Sequence, residues 1–486
     1  MKHLICLCLI MLSTSLVAQH TFEFSLITDG VKYTSNAIAE DDGSILALIS
    51  ERDSIDYHPG ERTGAYILKL SPFGDTLTKR YNFGDTSISF NNIFRYKNEG
   101  YLLSGNANKH NQDTVISFIM RADDDLNLLW VKWYSYGSKT GFSIKRLFYF
   151  DDEDIVLVGE LSGTPLIVTH PFFLRMDELG NIIDSTMYYG NHVGRLDILL
   201  SPDSSYFWYI SGSGLDPLGW SGRNVFDMDF NYVGGEIIAA GGDLHDPTAM
   251  WHQDNKFLVG FNGRRPGAPY QDDELKIIQV DTSLNITKSN HFGVPDTLDR
   301  GCYFGPTIDF RNPDSIYFAG FKNNNQWPPS PTTVSWIMVG QTDSLLQPRF
   351  LHYIGGDGYY QPNYIIATPD GGCFVSFGKW SPEKYVYDLV FLKLNNEGLI
   401  VGDHQPGLEI KKAIVYPNPA TDNIQVETAL RNATMHIFSL SGDFMGSHAL
   451  DIGTTTIDIQ GFAPGTYAYT ITNNKGQIEN GKFIKQ

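Results

Sequence analysis

The chain has 486 residues and a formal net charge of −19. That length allows two or three domains, and the acidic excess disfavours nucleic acid and anionic membrane surfaces as partners. Of its four cysteines only Cys302 and Cys373 lie beyond the first twenty residues, which excludes a fold stapled by several disulfides.

In chain order, Lys2 precedes an apolar run from Leu4 to Leu12, then Ser13 to Ser15 and Leu16-Val17-Ala18-Gln19. The run is too short to cross a bilayer, so residues 1–19 read as a signal peptide cut beside Gln19. Cys6 and Cys8 lie inside the run and not at its exit, the wrong place for a lipid-anchored N-terminal cysteine.

Residues 20–402 are built from two phrases that recur in step, with helix-period stretches nearly absent. The first is a strand ending on an acidic or glycine-containing turn. Its copies start at Tyr66, Phe118, Phe172, Val225, Leu275, Trp336 and Val390. The second is a tight Asp, Asn or Gly turn followed by an apolar strand that closes on a glycine: Gly105, Gly159, Gly212, Gly260, Gly320 and Gly378, with no closing glycine in the copy at Asp41. Seven copies spaced by about 50 to 61 residues match the period of propeller blades. Each unit supplies four strands. One such sheet cannot bury both faces alone, but sheets set radially cover one another. The fold class expected is all-β: a seven-bladed β-propeller followed by a small Ig-like β-sandwich. Rings of six or eight blades are the alternatives. The lone strand Thr21 to Ile27 has the phase to complete the last blade beside Val390 to Leu394. Cys302 and Cys373 occupy different places in the repeat and read as small buried apolar residues, with a bridge between them as the alternative.

The periodicity stops at a linker, residues 403–412. The tail 413–486 carries Tyr416-Pro417-Asn418-Pro419, an apolar strand closing on Ser441-Gly442, Phe462-Ala-Pro464-Gly465-Thr-Tyr467, and a basic last strand ending at Lys485. Pro417 and Pro419 disfavour a helix and predict an extended entry. Ile457, Ile459, Tyr467, Tyr469 and Ile471 alternate with more polar residues, as half-buried strands do. This segment resembles the type A C-terminal sorting domain of the type IX secretion system of Bacteroidetes. The motif residues are Tyr416, Pro417, Asn418, Pro419, Gly442, Gly465 and Tyr467; Phe462 stands where the family has Leu. The resemblance implies recognition by the outer-membrane translocon and its sortase, removal of the tail, and attachment of the cargo to surface lipopolysaccharide or its release. A plain Ig-like spacer is the alternative.

The long connections of the repeat all fall on one face of a propeller, where variable loops bind ligands. Tyr57, Trp220, Tyr270, Trp327 and Trp380 stand on them and suit a glycan or a surface protein; the other reading is that the rings pack the loops onto the blades. His192, Asp243 and His245 lie on connections leading back toward the ring centre, with Asp85, Lys139, Arg195, Asp246, Arg300, Asp357 and Tyr359 nearby in the repeat. No spacing there matches a known metal or nucleophile motif, so no catalytic residue, metal or cofactor is assigned. The expected function is a secreted or surface binding protein. The alternative is a carbohydrate-active hydrolase or lyase using the central pocket.

Overall fold

The structure is a computed structural model. It describes residues 20–486 apart from 28–30, 53–62, 85, 98, 110–114, 136–139, 151–153, 164–168, 189–195, 213–220, 240–244, 265–272, 295–296, 303, 324–332, 401–413, 429–432, 441–442, 451–452 and 474–477. The signal peptide and the linker expected at 403–412 therefore lie outside the described residues. The chain divides into two compact units, with the main break between residues 404 and 405. Among the described residues every regular element is a strand.

The first unit holds seven sheets, one per repeat. The first strands of blades 1 to 5 are Val31–Ala39, Thr86–Arg95, Thr140–Phe150, Leu196–Leu200 and His245–Trp251, and that of blade 7 is Tyr360–Ala367. In blade 6 the first strand is broken into Arg300–Gly301 and Ile308–Asp309, both paired with Ile316–Lys322. Blades 1 to 6 use four consecutive stretches of chain each. Blade 7 has only three at its end of the chain, and Phe22–Leu26 takes the fourth place beside Val386–Leu394.

Apolar alternation on both faces of each sheet forms the core between blades and not within one. Leu46, Leu48 and Ile67 of blade 1 pack with Phe90, Leu103 and Phe118 of blade 2. Phe173 of blade 3 meets Phe207 and Phe226 of blade 4 at ring-centre distances of 5.5 and 5.0 Å. Cys302 and Cys373 are free and buried in the cluster joining blades 6 and 7.

The turns after the third strands repeat one design. Asp123, Asp177, Asp227, Asp281 and Asp343 each accept the backbone N–H of the residue four places on, at 2.7, 2.7, 2.8, 2.9 and 2.8 Å. In four of them that residue is Asn, and its side-chain amide donates to the second carboxylate oxygen. The acidic turns of the sequence are thus self-bonded turns. The blade behind reaches over to them: Lys79 donates to Asn127 at 2.8 Å and Lys132 to Asn181 at 3.1 Å.

The second unit is a sandwich. A three-stranded sheet (Ile414–Tyr416, Asn423–Thr428, Gly453–Asp458) faces a four-stranded one (Phe444–Leu450, Ala433–Ser439, Gly465–Asn473, Ile478–Lys485). The five alternating residues predicted inside, Ile457, Ile459, Tyr467, Tyr469 and Ile471, all lie in its core with Phe483.

Candidate functional site

Five of the seven first strands carry a β-bulge near their middle: between Thr34 and Ala37, Phe90 and Asn92, Ile144 and Arg146, His245 and Thr248, and Pro362 and Tyr364. A bulge inserts an extra residue and breaks the strict inward–outward alternation. Polar residues follow at the same level of successive blades, and they join the ring hydrogen bond by hydrogen bond.

The Asn36 amide of blade 1 donates to Asn92 of blade 2, whose own amide donates to the Ile144 carbonyl of blade 3 at 3.1 Å. Arg146 of blade 3 pairs with Asp197 of blade 4 at 2.7 Å and also donates to the Ala249 carbonyl of blade 5 at 3.0 Å. Asp197 accepts the Ala249 N–H at 2.8 Å. The Thr248 hydroxyl of blade 5 accepts the Thr307 N–H at 3.0 Å. Asp309 of blade 6 accepts the Ala367 N–H of blade 7 at 2.7 Å. The circle ends where the Tyr364 hydroxyl of blade 7 meets Thr34 of blade 1 at 3.1 Å.

Inside this belt lies a cavity of about 300 Å³. It is lined by blades 1 to 5 and by the segment between the two short first strands of blade 6. Two cations and two carboxylates face it: Lys145, Arg146, Glu160 and Asp197. Lys145 pairs with Glu160 at 3.2 Å. The second oxygen of Glu160 is buried and has no hydrogen-bond partner among the described residues. Phe304 also lines the cavity and is 46% exposed. Among the described residues no three His, Cys, Asp or Glu side chains converge as metal donors.

Of the residues singled out in the sequence, Tyr57, Trp220, Tyr270, Trp327, His192 and Asp243 lie outside the described residues, as do Asp85, Lys139 and Arg195. The backbone of His245 opens the first strand of blade 5. Trp380 stands near the end of the second strand of blade 7, opposite Tyr387, with its ring edge-on to Tyr387 at 5.1 Å and to Tyr385 at 6.1 Å. It is half-buried by these neighbours and is not among the cavity residues. Arg300 is held by Asp273 at 2.8 Å, and Asp357 by Lys379 at 2.7 Å; the lysine keeps the Asp357 carboxyl below its usual range. Tyr359 is buried. These three do not converge on the cavity.

The belt was absent from the sequence reading, although a signal for it was there. Asn36, Asn92, Arg146, Asp197, Thr248, Asp309 and Asn363 recur once per repeat in the first strands. The closing glycines mark the same level. A Cβ on Gly105 would lie 2.2 Å from the Ser89 carbonyl oxygen, and one on Gly159 2.1 Å from that of Ser143.

In the second unit Tyr416-Pro417-Asn418-Pro419 does not run on as an extended entry. The strand ends at Tyr416 and the next three residues bend. The Asn418 side chain explains the bend: its oxygen accepts the Ile484 N–H at 2.9 Å and its amide donates to the Lys482 carbonyl at 3.3 Å. The motif is therefore tied to the last strand of the chain. Phe462, in the place of the family's Leu, packs tilted against Tyr467 with ring centres 5.0 Å apart, so the larger ring is accommodated. Gly465 opens the strand that carries Tyr467, and Gly442 lies outside the described residues.

No curated protein matches the chain. Residues 414–486 match the family described as a secretion system C-terminal sorting domain. Among solved structures the chain is similar to hydrazine synthase of Kuenenia stuttgartiensis, at 10% identity over 70% of this chain and 91% of that one, with a TM-score of 0.42. It is similar to puromycin hydrolase at 10% identity over 90% of this chain and 58% of that one, TM-score 0.44. It is also similar to PorZ, a surface component of the type IX secretion system of Porphyromonas gingivalis, at 10% identity over 96% and 100%, TM-score 0.27. The protein is a seven-bladed β-propeller carrying a type IX C-terminal sorting domain, which sends it across the outer membrane to the cell surface or the medium.

Proposed function

We propose that the propeller is an exported binding module and that its sorting tail is the address that takes it outside. The observation that carries this reading is the commitment of the central carboxylates. Asp197 is held by Arg146 and by the Ala249 and Ile198 N–H groups. Asp309 is held by the Ala367 and Phe310 N–H groups. Hydrolysis of a glycosidic bond ordinarily takes two carboxylates, one to donate a proton and one to attack or activate water. Among the described lining residues only Glu160 keeps an unbonded carboxylate oxygen, and that atom is itself buried. A lining of bonded polar groups serves recognition better than proton transfer.

The loop-borne candidates Tyr57, Trp220, Tyr270, Trp327 and Trp380, with His192, Asp243 and His245, belong to the same reading as outer contacts to a glycan or a surface protein. After export the tail is cut off, and the propeller is linked to surface lipopolysaccharide or released.

The test is a glycan and surface-protein binding array run on the secreted chain beside a panel of hydrolase and lyase substrates. Binding without turnover is expected. Turnover that disappears in Glu160→Gln would overturn the reading in favour of an enzyme.

A further inference from the structure

Resting on the binding reading, we propose that the central cavity is a site for a neutral saccharide, held by Glu160, Lys145, Arg146 and the ring of Phe304. Three features of the lining point to this chemistry.

The first is charge. Lys145 and Arg146 balance Glu160 and Asp197, so the lining favours neither an anion nor a cation. A zwitterion would have to break the two ion pairs, at 3.2 and 2.7 Å, before it could use their members. A hydroxyl group needs no such exchange, because it donates and accepts at once and can join an ion pair already made.

The second is the supply of unused hydrogen-bonding capacity. Glu160 is 8% exposed, and its buried Oε2 has no partner among the described residues. Leaving a buried carboxylate oxygen unbonded is costly, so a ligand hydroxyl that draws the Glu160 carboxylate round toward the cavity gains the value of that bond. Arg146 directs only Nη2 to Asp197 and Ala249. Its Nε and Nη1 and the remaining Lys145 N–H groups can donate to ring or hydroxyl oxygens. The donors line one space and, with the Glu160 carboxylate turned, the acceptor joins them, as a polyhydroxyl ligand requires.

The third is shape and apolar surface. The cavity of about 300 Å³ is at the lower end of the range for small-molecule sites. Phe304 supplies a half-exposed aromatic ring beside the polar groups. Such a ring covers the C–H face of a pyranose while the charged groups take its hydroxyl rim.

The test uses the purified full secreted chain on an array of neutral oligosaccharides, uronate-containing oligosaccharides and surface proteins. The strongest saccharide is then titrated calorimetrically into wild type, Glu160→Gln, Phe304→Ala and Trp380→Ala. Neutral saccharides are expected to bind. Glu160→Gln should weaken them by about tenfold or more, the value of a hydrogen bond to a charged group. The same substitution leaves a net positive lining and should raise the relative binding of uronates. Phe304→Ala, a change at an exposed ring outside any strand, should weaken both classes and keeps the test open if Glu160→Gln lowers the unfolding temperature. Saccharide binding indifferent to Glu160 and Phe304 but lost in Trp380→Ala would place the site on the loops and overturn the proposal. A wild type that takes only uronates or a surface protein would overturn the saccharide site and leave the binding reading standing. A chain that binds nothing on the array would overturn both.

Discussion

At the scale of single residues, the contacts that decide most are backbone approaches that a side chain would block. Gly159 lies against the bulge of the neighbouring strand, with its unbuilt Cβ position 2.1 Å from the Ser143 oxygen. Gly159→Ala must push that carbonyl away and disturb the bulge that carries Lys145 and Arg146. The expected loss is about 1–3 kcal/mol, as for other overpacked sites, read as a lower denaturant midpoint at unchanged m-value. Asn418 acts at the same scale in the tail, where one side chain makes two bonds to the last strand. It is exposed, so Asn418→Ala should cost only about 1 kcal/mol of sorting-domain stability. Its larger effect should be on export, because the bend and the C-terminal strand lose their tie. Surface display equal to wild type would show that the translocon does not need that tie.

At the scale of elements, the hairpin turns set how the ring responds to acid. The carboxyls of Asp123 and Asp281 are held below the usual range chiefly by backbone N–H donors, and that of Asp177 chiefly by the Asn181 side chain. A carboxylate whose pKa is lower folded than unfolded stabilises the fold fully above the unfolded value, about 4. That contribution is lost as pH falls through the folded value. Burial raises Glu40 and Asp299, and these act in the opposite sense above pH about 4. Asn181→Ala should therefore lower stability above pH about 4 and reduce the further loss below it, measured by urea unfolding across pH. Identical pH slopes in variant and wild type would free the turns of this role. The strand Phe22–Leu26 is the other decisive element. Phe22 and Phe24 are buried, and Phe22 packs near Phe374 at 6.4 Å. Deleting residues 20–27 should cost roughly 3–6 kcal/mol, the burial of two aromatic side chains, and leave Val386–Leu394 as an open edge prone to association. An unchanged melting temperature and a monomeric elution profile would refute it.

At the scale of the whole molecule, the ring and the sandwich have separate cores and separate tasks. The sandwich core is made from residues 420–483 alone. The ring should therefore fold without the tail, and a chain lacking residues 413–486 should accumulate, folded, in the periplasm. Fractionation with a protease-accessibility assay on intact cells tests this. Undiminished surface display of the truncated chain would mean that the address lies elsewhere.

The sequence by itself determined the all-β class, the seven-fold repeat, the closing glycines, the acidic turns and the sorting motif. These depend on local chemistry: a turn needs Asp, Asn or Gly where the chain reverses, and alternation shows which strand face is buried. It also carried the phase by which the strand beginning at Phe22 joins the last blade. Tertiary structure decided what the repeats do together. Asn36 and Asn92, or Arg146 and Asp197, are far apart in sequence and become partners only when the sheets are set around one axis. Each looks alone like an ordinary polar residue of a mixed strand. Glu160, on a second strand and without a motif, joins the cavity because the neighbouring bulge places Lys145 within 3.2 Å of it. The belt residues recur once per repeat, but which of them become partners is set by how neighbouring sheets meet, and spacing along the chain does not show it.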